Sequence, residues 1–430
     1  MLKTRHTLMP QMPEVLRAVV RKFTKPREDA PLAFLPTVYT DQNVAEGVKI
    51  PVNNASVRKC DDAKFREEGQ FLARQERWED LSTRIQEADR ARAKSASGTS
   101  IAELLLFGGR ADVVAAAEHA LLHGTPEKDA NFVAGIEDME LMLSEYPNDY
   151  ALALTVAHMH IDIGWAWRGH GALATLPHEN REAFKAHFHR AEEIMDAFCA
   201  HEMDSPALSA ARCALLPAQA HPGDCVSDDF EDLIDLDPQN PRHMRALGNY
   251  LLPQWYGSYQ KLDLEARRTA ARTYDLWGAG GYAWVWFDAI LSDPECLAHM
   301  DADYFLDGVF DILERQTDQN TANLMAAQVY CAWQASRQNY IDGGTSGAQA
   351  TVLRKGFEDI VHKHLREVHP LIWGHAEYGF DNRNRSISLE RLALKGTDLA
   401  LNAVAQPFRK MIEQGLTIHI GPDGITEIHP

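Results

Sequence analysis

The sequence predicts an all-α fold of stacked helical hairpins, closed at its C-terminal end by a small β-hairpin. Three observations lead there. Apolar residues recur at helical spacing from Asp61 to about Gln414. Segment after segment is stopped by a turn rich in Pro, Gly, Asn or Asp. Alternating β-branched runs are confined to the last fifteen residues.

Residues 1–60 read as an extended N-terminal arm. Pro26, Pro31, Pro36 and Pro51 break any helical period within two turns, and one short helix fits Met12 to Phe23. Leu32, Phe34, Leu35 and Val38 give the arm apolar groups with which to lie on the body. The body spans 61–414. Its first helical stretch places Phe65, Phe71, Leu72, Trp78, Leu81 and Ile85 near helical spacing. Turns at Gly124-Thr-Pro, Tyr146-Pro-Asn-Asp, Asp204-Ser-Pro and Asp235 to Pro241 each end one helix, and several supply the Asp, Asn or Ser that caps the next.

The tail, 415–430, reads as a hairpin. Leu416, Ile418 and Ile420 share one face of a strand. Gly421-Pro-Asp-Gly424 suits a type I turn, and the chain then returns from Ile425 to His429. A lone two-stranded hairpin is marginal in water, so its apolar face must cover other surface. The short link to the last helix favours packing on its own chain, and a monomer over a homodimer.

The stretches "EYPNDYALALTVAHMHIDIGWAWRG" and "DLDPQNPRHMRALGNYLLPQWYG" read alike: a helix end, an acidic-Pro-Asn turn, then a helix with small residues at close-packing positions. This resembles tetratricopeptide-type repeats, an α-solenoid in which a helix pair buries its apolar face only by stacking. Leu247 to Arg267 resembles more closely the signature L-x-P-x-W-x-G-S-Y-x-x-[LM] of a bacterial family of tetratricopeptide-like domains, through Pro253, Trp255, Gly257, Ser258 and Tyr259. The match covers about twenty residues. The turn prolines Pro147, Pro206 and Pro238 are unevenly spaced, so any repeat is degenerate. The resemblance implies a helical-repeat fold and no particular activity.

The chain has 430 residues and a net charge of −19. Acidity of that size repels phosphate backbones and argues against nucleic-acid binding. No run reaches the roughly 18 apolar residues of a membrane span, and the first twenty residues lack the apolar core of a secretory signal. Six scattered cysteines without a C-x-x-C suggest reduced thiols in a cytoplasm. No cofactor motif is present: Ala279-Gly280-Gly281 lacks the spacing of a phosphate loop.

The chemistry-bearing residues crowd into "HMHIDIGWAWRGHG", His158 to Gly171. On a helix, His158 and Asp162 are four apart on one face, while His160 points away from it. The expected reading is a structural His–Asp pair in a helix interface beside Trp165. The alternative is a metal site in which His187 or His189 completes His158 and Asp162, though the sequence shows no H-E-x-x-H to anchor it. A second group, His375, Glu377, Asp381, Arg383 and Arg385, occupies a polar stretch that reads as a loop able to contact a ligand. The function these features suggest is a protein- or peptide-binding helical scaffold. A metal-assisted hydrolase built on the His158–Asp162 neighbourhood is the rival.

Overall fold

The turn at Asp237-Pro238, one of those that stop a helix in the sequence, is also where the chain divides into two compact units. The computed structural model describes residues 45–53, 57–122, 130–169, 176–341, 347–378 and 389–428. Nineteen α-helices and three short strands lie among them, so helix dominates as expected. The helix expected over Met12 to Phe23 falls outside the described residues.

The first unit holds α1 (Val57–Arg74), α2 (Trp78–Arg90), α3 (Ile101–Leu122), α4 (Ala130–Glu145), α5 (Tyr150–Arg168), α6 (His178–Met195), α7 (Ala200–Met203), α8 (Pro206–Leu215) and α9 (Pro222–Leu236). α5 is its central helix. Asp149 starts it, accepting hydrogen bonds from the amides of Ala151 and Leu152. Beyond that cap the helix is buried on nearly every side, from Tyr150 to Trp167. An apolar surface that runs all the way round a helix demands neighbours all the way round. α3 and α6 supply most of them, and α2, α4 and α8 cover the remainder. Asp89 ties α2 to α8: its carboxylate accepts from the Ser205 hydroxyl, from the Ala207 amide at 3.1 Å and from the Tyr150 hydroxyl at 3.3 Å.

The second unit is built from α10 (Pro241–Tyr250), α11 (Tyr259–Arg272), α12 (Tyr274–Trp277), α13 (Gly280–Ser292), α14 (Ala302–Arg315), α15 (Gln319–Ile341), α16 (Gly347–Lys363), α17 (Pro370–Tyr378), α18 (Leu389–Ala405) and α19 (Arg409–Glu413). α13 is its counterpart to α5. Tyr282, Trp284, Trp286 and Phe287 are buried against α10, α11 and α14. The Gly-rich stretch before it is therefore a helix start within the core, where the Ala279 amide donates to Asp311 at 2.6 Å. Further on, Asn323 of α15 joins three segments. Its amide donates to the carbonyls of Gln319 and Glu367, and its oxygen accepts from the His369 amide and the Trp373 indole, both at 2.9 Å.

The C-terminal hairpin forms as read, from β2 (Thr417–Gly421) and β3 (Gly424–Ile428). Gly421 pairs with Gly424 around Pro422 and Asp423, and Gly424 takes φ +112°, which a side chain would resist. The sheet has a third member. β1 (Val48–Lys49) pairs parallel with β2, and the Gly47 carbonyl accepts from the Ile418 amide at 2.9 Å. Pro51 and Asn53 bond to the backbone of Val368 at 2.8 Å. Residues 47–53, part of the arm in the sequence reading, thus belong to the second unit. Ile418 and Ile420 are buried within that unit, and Leu416 is half-buried.

Candidate functional site

α5 and α6 lie antiparallel. His160 meets His187, and two turns further along α5 the Trp167 carbonyl accepts from Asn180, two turns earlier on α6. Both histidines sit inside apolar stripes. On α6, Ala183, Phe184, His187, Phe188, Ala191 and Ile194 are all buried. His187 therefore has no choice but to be packed, and it needs a polar partner there.

The partner is a four-residue network. His160 Nδ1 lies 2.9 Å from His187 Nδ1, with neither side chain exposed to solvent. His160 Nε2 lies 2.9 Å from Glu140 Oε1 on α4. Arg190, one turn beyond His187, grips the same carboxylate with two nitrogens, at 2.8 and 2.7 Å, and reaches Glu193 at 3.0 Å. Burial works against a charge on Glu140, but the Arg190 and His160 hydrogen bonds outweigh it and hold the carboxyl down at about 2. Burial pushes the His187 imidazole well below its ordinary range; nearby His160 adds to this and Glu140 opposes it. His187 Nε2 is buried with no hydrogen-bond partner. The arrangement fixes one proton between two imidazoles and anchors the outer one to a charged pair.

Of the residues singled out in the sequence, only His187 enters this network. His158 and Asp162 face α3, where Asp162 accepts from Arg110 Nε at 2.7 Å. Asp162 is therefore satisfied by arginine and not by His158. Burial, then the Arg110 charge, lower the His158 imidazole to about 4 against the pull of Asp162. His189 is 70% exposed beside Glu192 and Glu193. These four residues do not converge into a ligand set. Among the described residues, no three His, Cys, Asp or Glu side chains are placed to hold a metal ion.

The polar stretch read as a loop begins on a helix instead, since His375 and Glu377 both lie on α17, and the rest is described only in part. His375 is half-buried on that helix, whereas the Glu377 side chain and Asp381, Arg383 and Arg385 lie outside the described residues.

Glu140, His160 and Arg190 were missed in the sequence, although a signal existed. Ile136, Met139, Glu140 and Leu143 follow the spacing of a buried helical stripe. A carboxylate in such a stripe implies a buried cationic partner.

A different kind of feature sits in the second unit, on the Pro-x-Trp-x-Gly-Ser-Tyr stretch. The turn between α10 and α11 is held rigidly. Leu251 and Leu252 are fully buried, the Trp255 amide donates to the Leu252 carbonyl at 2.9 Å, and the Tyr256 amide donates to the Tyr250 carbonyl at 3.1 Å. Gly257 passes so close to the Leu251 carbonyl that a Cβ would lie 2.2 Å from its oxygen. Ser258 caps α11 through the Lys261 amide, and Tyr259 donates to Asp293 at 2.8 Å. Each of these three residues has a structural task. Trp255 does not share it: the residue is 38% exposed, with its ring next to that of Tyr256, which in turn meets Tyr250. The polar turn fixes an aromatic surface that solvent can reach.

Among the described residues no helix is long and apolar enough to cross a membrane. Compared with protein families, curated proteins and solved structures, the chain matches none of them.

Proposed function

We propose that this chain is a helical scaffold that binds a protein or peptide partner, and that the turn of residues 251–258 is a point of contact. The observation that carries the reading is Trp255. A large aromatic ring held in the open by a turn with buried anchors is already organised for binding, so little conformational freedom is lost when a partner covers it. Tryptophan and tyrosine together supply the type of anchor on which interface energy concentrates. The helical hairpins support the same reading, on the view that they stack in the tetratricopeptide manner and present side chains from successive helices. The scattered free thiols Cys199, Cys213, Cys225, Cys296 and Cys331 support a reducing, cytoplasmic setting.

The test is crosslinking in the native cell, with a photoreactive residue at the exposed position Gln254 and a control at exposed Glu76 in the first unit. The expected result is one discrete partner captured from position 254, not from position 76, and lost when Trp255→Ala is added. That substitution should leave the fold intact, since the ring is partly exposed. Equal capture from both positions, no capture from either, or capture that survives Trp255→Ala overturns the proposal.

A further inference from the structure

The contact between His160 and His187 joins nitrogen to nitrogen, and such a contact holds only while one proton lies between the two atoms. The other ends of the pair set where that proton comes from. Ionised Glu140 accepts from His160 Nε2 at 2.9 Å, so that nitrogen carries a hydrogen. In the neutral pair, His160 Nδ1 is then a lone pair, and His187 Nδ1 donates to it across 2.9 Å. This leaves His187 Nε2 bare, which fits its lack of a partner.

One added proton keeps the Nδ1–Nδ1 hydrogen bond, at the cost of a hydrogen on His187 Nε2 that finds no acceptor. It makes His160 an imidazolium between Glu140 and His187. His160 Nδ1 now donates, and His187 accepts there after shifting its own hydrogen to Nε2. A second added proton has no such place. Both Nδ1 atoms would carry hydrogens pointed at each other, and two imidazolium rings would face one another with centroids 5.1 Å apart. We propose that the His160–His187 contact is a proton-counting latch between α5 and α6, which holds with zero or one added proton and parts on the second.

The surrounding charges leave this count to the pair. α4 contributes Glu140, and α6 contributes Arg190, which binds Glu140, and Glu193, which accepts from Arg190. On α5 itself, His158 and Asp162 face α3, where Arg110 engages Asp162. Arg212 of α8 donates to the carbonyls of Met195 and Phe198 at the far end of α6. Asp89 of α2 is committed to Ser205, Ala207 and Tyr150. The charged groups that act on His187 are His160 and Glu140. Parting the latch loosens α6 from α5 and uncovers Phe184 and Phe188, which now pack edge-on against Trp165 at 5.5 and 5.9 Å.

Two measurements on the full chain test this. Nitrogen-15 spectra of histidine-labelled protein, in which a coupling across the Nδ1–Nδ1 hydrogen bond marks the pair, should show His187 moving its hydrogen from Nδ1 to Nε2 as the first proton enters, with the native spectrum otherwise kept. Simple burial of a histidine predicts no such exchange of tautomers before the acid transition, and a His187 that keeps Nδ1–H throughout overturns the latch. Hydrogen exchange then reads the parting. Once the latch holds its first proton, opening of peptides from 176–195 should grow by about tenfold per pH unit on further acidification, the slope for one proton taken up on opening. Peptides from 319–337 in the second unit should lack that slope. His187→Phe fills the same apolar stripe and takes up no proton, so it should abolish the slope. The same slope in His187→Phe, or no slope in the wild type, overturns the proposal; if the variant does not fold, the tautomer measurement on the wild type decides.

Discussion

Replacing Glu140 by glutamine should cost the first unit about 3 kcal/mol at neutral pH and nothing at pH 2. Glutamine stands in for the protonated acid, so the substitution removes the charge and keeps the shape. The carboxyl is held at about 2 in place of its usual 4.5, and each tenfold change in proton affinity is worth about 1.4 kcal/mol, which gives about 3 kcal/mol. Only 17% of the side chain is exposed, so solvent screens little of this. The sign follows from the direction of the shift. A carboxyl depressed on folding stabilises the fold fully above its unfolded value, and that stability drains away as pH falls from about 4.5 to about 2. The wild type and Glu140→Gln should therefore differ by this amount at pH 7 and converge near pH 2. A 430-residue chain of two units need not unfold in one step. Opening free energies from hydrogen exchange in peptides spanning 133–195 are thus the proper readout. A difference below about 1 kcal/mol at pH 7, or one that persists unchanged at pH 2, would refute the account of Glu140 as a charged clasp between α4, α5 and α6.

Other outcomes follow from the same geometry. Arg110→Met should cost about 2–3 kcal/mol by leaving Asp162 without its donor, whereas His158→Ala should cost less than about 1 kcal/mol because Asp162 does not depend on it; equal losses on urea denaturation would contradict this ordering. Asn323→Ala should destabilise the second unit by about 3 kcal/mol or more, since it strips partners from the His369 amide, the Trp373 indole and two carbonyls, and a drop under about 1 kcal/mol would show those bonds to be dispensable. Deleting residues 415–430 should lower the stability of the second unit by roughly 3–6 kcal/mol, at about 1.5–3 kcal/mol for each buried isoleucine. β1 should lose its pairing and become more mobile once β2 is gone, and the mass in light scattering should stay that of the intact chain less the tail; a halved mass would place the hairpin in an interface between copies.

Much of the architecture was legible because it is local. Helical spacing, the Asp149, Ser205, Asn240 and Ser258 caps, and the Gly421–Gly424 turn depend on residues a few positions apart, so the sequence alone determined them. What it could not determine is which polar group meets which across the core. The four-residue spacing of His158 and Asp162 suggested a pair, yet Asp162 turned to an arginine 52 positions earlier, whose forked cation matches a carboxylate better than a neutral imidazole does. His160, set aside because it points the other way, is the histidine that matters to the core, and its partners stand 20 and 27 positions from it. Two valines, Val48 and Val52, gave no strand pattern, because β1 has two residues and Val52 forms a single bridge; both exist only through β2 and Val368, brought alongside by the fold. Helix and turn are decided by hydrogen bonds within a few residues, and these the sequence carries. A buried charge or a two-residue strand is decided by the one group that burial leaves within reach, and only tertiary packing selects that group.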